Sequence, residues 1–200
     1  PGRGRPPKAR DSRPPRWEGC QHTPPRDGTR PSAEVTLPGP ANAGPYPTVI
    51  EYSGYAPSHP GSPQPSTQIA QLLGYATVGV NIRGTGCSGG AFDFFEKMQL
   101  LDGYDVIEAV AAQPWVAGHK VGMVGLSYPG ISQLFVASTQ PPSLAAITPL
   151  SVIGSAHSTM LPGGMLNDGF ALAWVANVID QAQPYGQGWE QARVDGGDDL

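Results

Sequence analysis

Apolar residues in this chain come in short runs between Gly- and Pro-rich breaks, and the runs follow two different periods. Ala33-Glu34-Val35-Thr36-Leu37 alternates as a half-buried strand does, and Pro47-Thr48-Val49-Ile50-Glu51-Tyr52 is a strand with a β-branched centre. Thr67 to Leu73 has helical spacing and stops at Gly74, which suits the left-handed position after a helix. Tyr75 to Ile82 is nearly all apolar, the pattern of a strand buried on both faces. Beyond the Gly-rich stretch Arg83 to Gly90, the spacing of Val106, Ile107, Val110 and Ala111 predicts a helix ending before Pro114. Asp102 is placed to cap that helix, with Asp105 as its capping-box partner. Lys120 to Gly125 follows as a strand, Tyr128 to Thr139 as a helix, and Leu144 to Leu150 as a strand. Residues 165–183 form one long helical stretch, with Leu166, Phe170, Trp174 and Val178 on one face.

Strands and helices in alternation, joined by short links, predict an α/β fold with a parallel, doubly wound sheet. Composition changes this picture at the N-terminus. Sixteen of the 23 prolines lie at or before Pro65, and residues 1–31 hold eight of the 12 Lys and Arg against three of the 16 acids. A basic head therefore sits on an acidic body. Its arginines are broken up by Pro, Gly and Asp, with hardly an aromatic beyond Trp17. Such a segment buries too little apolar surface to offset its ordering entropy, so disorder is favoured over a nucleic-acid or membrane arm. Cys20 and Cys87 alone make neither a disulfide framework nor a metal cluster. With no apolar leader and no run of ~20 apolar residues, a cytoplasmic location without membrane association is expected. The oligomeric state stays open.

The chemistry centres on Gly125-Leu126-Ser127-Tyr128-Pro129-Gly130. Ser127 falls where an apolar strand ends and a helix begins, and a serine hydroxyl becomes a nucleophile only when held rigidly, exposed and beside a base. The turn also aims the amide of Tyr128 at the position of a developing oxyanion, near the positive end of the helix. The common G-x-S-x-G spacing would put glycine at 129, where this chain has Pro129 and then Gly130. A competing motif is Gly84-Thr85-Gly86-Cys87-Ser88-Gly89, which matches the dinucleotide fingerprint G-x-G-x-x-G and has Asp105 about 20 residues on. That fingerprint should open straight into an apolar helix, and Gly90 to Glu96 intervenes; a structural turn, with Arg83 paired to a carboxylate, is the preferred reading, and no cofactor or metal is expected.

Of the four histidines, His22 lies in the basic head, His59 in a Pro-rich loop and His119 at the far end of the strand from Ser127; His157 alone follows the serine. No acid lies between Ser127 and His157, and no histidine follows Asp168, so a Ser-Asp-His order is incomplete here. His157 reads as a cap or surface residue.

Four blocks between Asp27 and Leu150 resemble the X-Pro dipeptidyl-peptidase/cocaine esterase (CocE/NonD) family. They are residues 47–55, residues 83–90, Ala112-Gln113-Pro114-Trp115, and residues 125–130, whose G-x-S-Y-x-G form explains the shifted glycine. The resemblance implies an α/β-hydrolase core, a helical cap from about Ser155, and acyl-enzyme chemistry on esters or amides. It implies Ser127 as nucleophile and an oxyanion hole made of the Tyr128 backbone N–H and the Tyr55 hydroxyl. Tyr52 rivals Tyr55 but lies inside the strand. The family pattern departs at Pro31, and its Asp and His fall beyond Leu200. The expected division is a basic, Pro-rich, disordered 1–31, the N-terminal part of a hydrolase domain over 32–153, and the beginning of a cap over 154–200. A truncated piece of a longer hydrolase acting on a small-molecule ester or amide, inactive by itself, is thus the leading expectation. X-Pro dipeptidyl-peptidase activity in the full-length protein and a non-catalytic remnant or binding protein are the alternatives. Trp174 and Trp189 read as cap packing or as a pocket lining.

Overall fold

Two strands buried along nearly their whole length set the arrangement of everything around them. The computed structural model describes residues 21–22, 26–93, 95–181 and 188–191. The arginine-rich residues 1–20, with Trp17 and Cys20, and the acidic residues 192–200 lie outside the described residues. Among the described residues six strands, β1 (Gln21–His22), β2 (Ser32–Thr36), β3 (Tyr46–Ser53), β4 (Ala76–Asn81), β5 (Val116–Leu126) and β6 (Leu144–Leu150), form one sheet in the order β1-β2-β4-β3-β5-β6. All of β4 and the last six residues of β3 are buried. That is the burial expected of central strands covered on both faces.

The sheet is mixed rather than wholly parallel. Strands β4, β3, β5 and β6 run parallel, whereas β2 is antiparallel to β4 and to β1. The link over residues 37–45 explains the reversal, because a parallel crossover needs a dozen or more residues. The ordered body also starts before residue 32, since β1 pairs with β2 and Asp27 bonds into the interior.

Alternation along β3 assigns the helices to opposite faces. Glu51 points toward α1 (Pro65–Leu72), where it accepts a hydrogen bond from Thr67 Oγ1 at 2.7 Å. Tyr52 points the other way, and its hydroxyl donates to the Gln99 carbonyl of α2 (Lys97–Ala111) at 2.8 Å. The helix α3 (Tyr128–Ser138) packs beside α2, with Ser132 Oγ donating to the Tyr52 carbonyl. Between sheet and helices lies a core that includes Ile50, Val78, Val80, Val106, Ile107 and Met123. On the other face α1 turns Ile69, Leu72 and Leu73 outward. Gly74 closes α1 with φ +83°, as its position foretold.

Two helix boundaries differ from the expected ones. Asp102 is not an N-cap: α2 begins five residues earlier, capped by Glu96, whose carboxylate accepts from the amides of Met98 and Gln99. Asp102 is buried in mid-helix and takes two 2.6 Å hydrogen bonds from the Arg83 guanidinium. Asp105, the expected capping-box partner, instead accepts from the Arg26 side chain at 2.7 and 3.0 Å. Arg83 also reaches Asp27 at 3.1 Å, and the Asp102 bonds hold its guanidinium firmly charged. The long helix expected over 165–183 is shorter. A short α4 (Ala156–Met160) and a tight turn at Pro162–Gly164 precede α5 (Phe170–Gln181), because Gly163 and Gly164 take positive φ and break the helix. Among the described residues no helix is long and apolar enough to cross a membrane.

Asp102→Ala leaves the Arg83 charge buried with one partner fewer and is expected to cost about 3–5 kcal/mol of stability in denaturant titration. Glu51 supplies a second expectation. Burial lifts its carboxyl from 4.5 to about 7, against the downward pull of the Thr67 bond. The folded state thus holds this proton more tightly than the unfolded chain does. Its contribution is complete below the unfolded value and is lost as pH rises through the folded one. Melting curves from pH 5 to 8 should show wild type losing stability relative to Glu51→Gln, by on the order of 3 kcal/mol; parallel pH profiles would contradict this.

Candidate active site

Ser127 occupies the single residue between β5 and α3, with φ 68° and ψ −119°. That backbone is uncommon for a residue with a Cβ and costs of order 1–3 kcal/mol, so its surroundings must impose it. Two close backbone approaches do so. A Cβ on Gly125 would lie 2.5 Å from Pro129 Cβ, and one on Gly130 would lie 2.5 Å from the Leu150 carbonyl oxygen. The Ser127 amide donates to Leu150 at 2.9 Å, and its carbonyl accepts from Ile131 at 2.8 Å. The shifted glycine thereby has a physical reason: position 129 faces Gly125 and tolerates a ring, while position 130 is pressed onto the end of β6.

Tyr128, the next residue, is fully buried and opens α3. Its amide is among those at a helix start that have no partner within the helix. Burial, with Tyr55 nearby, pushes its phenol well above the usual tyrosine range. Among the described residues the ring is a platform for three aromatics set edge-on. Tyr55 lies at 5.5 Å and 78°, Phe95 at 5.0 Å and 88°, and Trp174 at 5.6 Å and 80°. Gly54 makes room for it, since a Cβ there would sit 2.6 Å from Tyr128 Cε1.

Tyr55 lies in the loop after β3, and its hydroxyl is 3.5 Å from Ser127 Oγ. The loop is pinned by Asn81, the last residue of β4. Asn81 Nδ2 donates to the Tyr55 carbonyl at 2.8 Å, and Asn81 Oδ1 accepts from the amide and hydroxyl of Ser58 at 3.1 and 2.6 Å. The loop also lies flat on β4 at Gly79, where any Cβ would meet the Pro57 carbonyl oxygen. Tyr52, the rival, is buried with its hydroxyl on Gln99.

A cavity of about 320 Å³ opens at Ser127, its wall including Ile131, Ile153, Met160, Phe170 and Trp174. Trp174 comes from α5, and its indole Nε1 donates to the Tyr55 hydroxyl at 3.0 Å. The pattern of hydrophobic positions marks Trp174 as a packing residue but carries no sign of this bond. Asn81 was likewise unmarked, beyond being a polar end to an apolar strand. Trp189 lies elsewhere, 5.0 Å from the His59 ring.

No imidazole among the described residues hydrogen-bonds Ser127 Oγ. His59 Nδ1 is 3.0 Å from the Pro60 carbonyl, His119 Nδ1 is 2.8 Å from the Ala111 carbonyl, and His157 is exposed on α4. The rival glycine motif is a turn folded on itself. Gly84 donates to Gly89 at 2.9 Å, a Cβ on Gly84 would strike the Phe92 amide, and the next helix waits until Lys97.

A family model described as X-Pro dipeptidyl-peptidase (S15 family) matches residues 27–196. The chain belongs to the S15 family. The matched span holds the Ser127 turn, Tyr55 and Trp174. A Mycobacterium bovis protein named "Putative serine esterase" is 31% identical over 103 residues, half of this chain and 16% of its own length. A CocE/NonD family hydrolase from Staphylococcus aureus superposes with a TM-score of 0.74 at 24% identity, over 87% of this chain and 36% of its own. An aminopeptidase from a marine-sediment Thaumarchaeota archaeon gives 0.58 at 18%, over 73% of this chain and 28% of its own. These similarities establish the α/β-hydrolase fold, and the S15 chain spans well under half the length of the relatives it matches.

Gly130→Ala, pushing a methyl into the Leu150 carbonyl, is expected to lower stability by about 1–3 kcal/mol. Gly154→Ala, at a glycine with open space around it, should be neutral. Equal melting temperatures for the two variants would contradict the close-approach account.

Proposed function

We propose that this chain carries the nucleophile and oxyanion hole of a serine hydrolase that cleaves acyl esters or amides through an acyl-enzyme. The observation that carries the reading is one arrangement: a strained, half-exposed Ser127 at a helix start, with the Tyr55 hydroxyl 3.5 Å from its Oγ. Ser127 Oγ attacks the carbonyl carbon and passes its proton to an imidazole base. The carbonyl oxygen becomes an oxyanion, accepting from the Tyr128 amide and the Tyr55 hydroxyl. The bond to the leaving alcohol or amine then breaks as that group takes the proton, and water releases the acyl group by the same route. On this reading the base and its carboxylate partner come from sequence outside residues 1–200. The cavity beside Ser127 would receive the acyl or leaving group of a small substrate.

Within the S15 family the ester reading is supported by the name of the Mycobacterium bovis relative, and the amide reading by the family description. In the full-length protein, Ser127→Ala should abolish labelling by a fluorophosphonate probe and lower kcat on p-nitrophenyl butyrate by roughly 10⁶-fold. Assaying an Xaa-Pro p-nitroanilide in parallel decides between the branches. Labelling at another residue would remove the nucleophile assignment, and a full-length protein inert to both probe and substrates would support a non-catalytic remnant.

A further inference from the structure

We propose that Trp174 is a positioning residue: its indole N–H turns the Tyr55 hydroxyl hydrogen toward the oxyanion pocket at Ser127. This rests on the reading of Tyr55 as an oxyanion donor. An indole nitrogen donates and never accepts, so at the 3.0 Å contact the Tyr55 oxygen is the acceptor. A phenol has one hydrogen. With a donor seated on the oxygen, every rotamer aiming that hydrogen back at Trp174 is disfavoured, and Ser127 Oγ lies 3.5 Å from the same oxygen. Accepting one hydrogen bond also strengthens the phenol as donor of the next, so the order Trp174 to Tyr55 to oxyanion is cooperative.

The indole is held for this role. It lies edge-on to Tyr128 at 5.6 Å, and Tyr128 lies edge-on to Tyr55 at 5.5 Å, so one buried ring fixes donor and acceptor together. Trp174 comes from α5, 119 residues along the chain from Tyr55. The hydroxyl arm of the oxyanion hole is therefore complete only while α5 is seated over the nucleophile. Orientation of a hydrogen toward charge that develops only in the transition state acts on kcat, not on substrate binding.

The test is a double-mutant cycle in the full-length protein with p-nitrophenyl butyrate. Tyr55→Phe should lower kcat by about 10²-fold or more. Trp174→Phe keeps a ring on the cavity wall but removes the N–H, and should lower kcat about tenfold. Combined with Tyr55→Phe it should add nothing. Phenylboronic acid, which forms a tetrahedral adduct on a nucleophilic serine, should lose about tenfold in affinity with Trp174→Phe. An unchanged kcat, or an equal loss whether or not Tyr55→Phe is also present, overturns the proposal. Should Trp174→Phe not fold, benzothienylalanine at 174, with sulfur replacing the N–H at nearly the same shape, is held to the same outcomes. Failure of fluorophosphonate to label Ser127 in wild type would overturn the functional reading itself; labelling with an additive cycle overturns the Trp174 role alone.

Discussion

Backbone pressed against backbone, where α3 meets the ends of β5 and β6, is the constraint on which the site depends. Gly125 against Pro129 and Gly130 against Leu150 leave no space for a relaxed turn, and Ser127 is left with a positive φ. The register of β5 on β6, with Gly125 opposite Pro149 and Leu126 opposite Leu150, brings the Leu150 carbonyl to the Ser127 amide. The strain at the serine is therefore carried by the sheet. A looser strand pairing would relax the turn and take the hydroxyl away from Tyr55.

The second arm of the site is attached to the same sheet by different means. Tyr55 sits on a loop, and loops are poor platforms for the proposed donor, which must be placed to within a fraction of an ångström. Here the loop is tied down by Asn81 from the neighbouring strand and flattened onto Gly79. The Arg83–Asp102 pair then clamps the turn that follows Asn81 to α2. Sheet, loop and helix are thus linked through β4, and the buried charges at 83 and 102 explain why a glycine-rich turn holds one shape.

Much of this is legible in the sequence. The strand-to-helix position of Ser127, the loop position of Tyr55 and the doubly buried β4 follow from local periodicity, because apolar runs and turn residues report on their immediate neighbours. What was not legible depends on contacts distant in the chain. Asp102 looks like a cap because acids are common at helix starts; only the folded Arg83, 19 residues earlier, reveals it as a buried counter-ion. The antiparallel β2 pairs with β4, which comes after β3 in the chain, and the break at Gly163-Gly164 depends on backbone angles that composition merely permits. Trp174 has the spacing of an ordinary packing residue, and its bond to Tyr55 spans 119 positions.

In the proposed site the two tyrosines divide the work in a way that accounts for the Ser-Tyr pair. Tyr128 contributes an amide through its backbone and a ring through its side chain, and burial keeps its phenol protonated and out of the site's acid–base chemistry. Tyr55 does the reverse, with its carbonyl consumed by Asn81 and its hydroxyl turned to Ser127. Each residue is anchored by a part of itself that the proposed reaction does not use, and the Tyr55 hydroxyl also accepts from Trp174. A smaller residue at 128 would keep the amide but lose the ring against which Tyr55 and Trp174 are both aligned. Position 128 therefore constrains the proposed oxyanion hole twice, once along the backbone and once through the aromatic cluster.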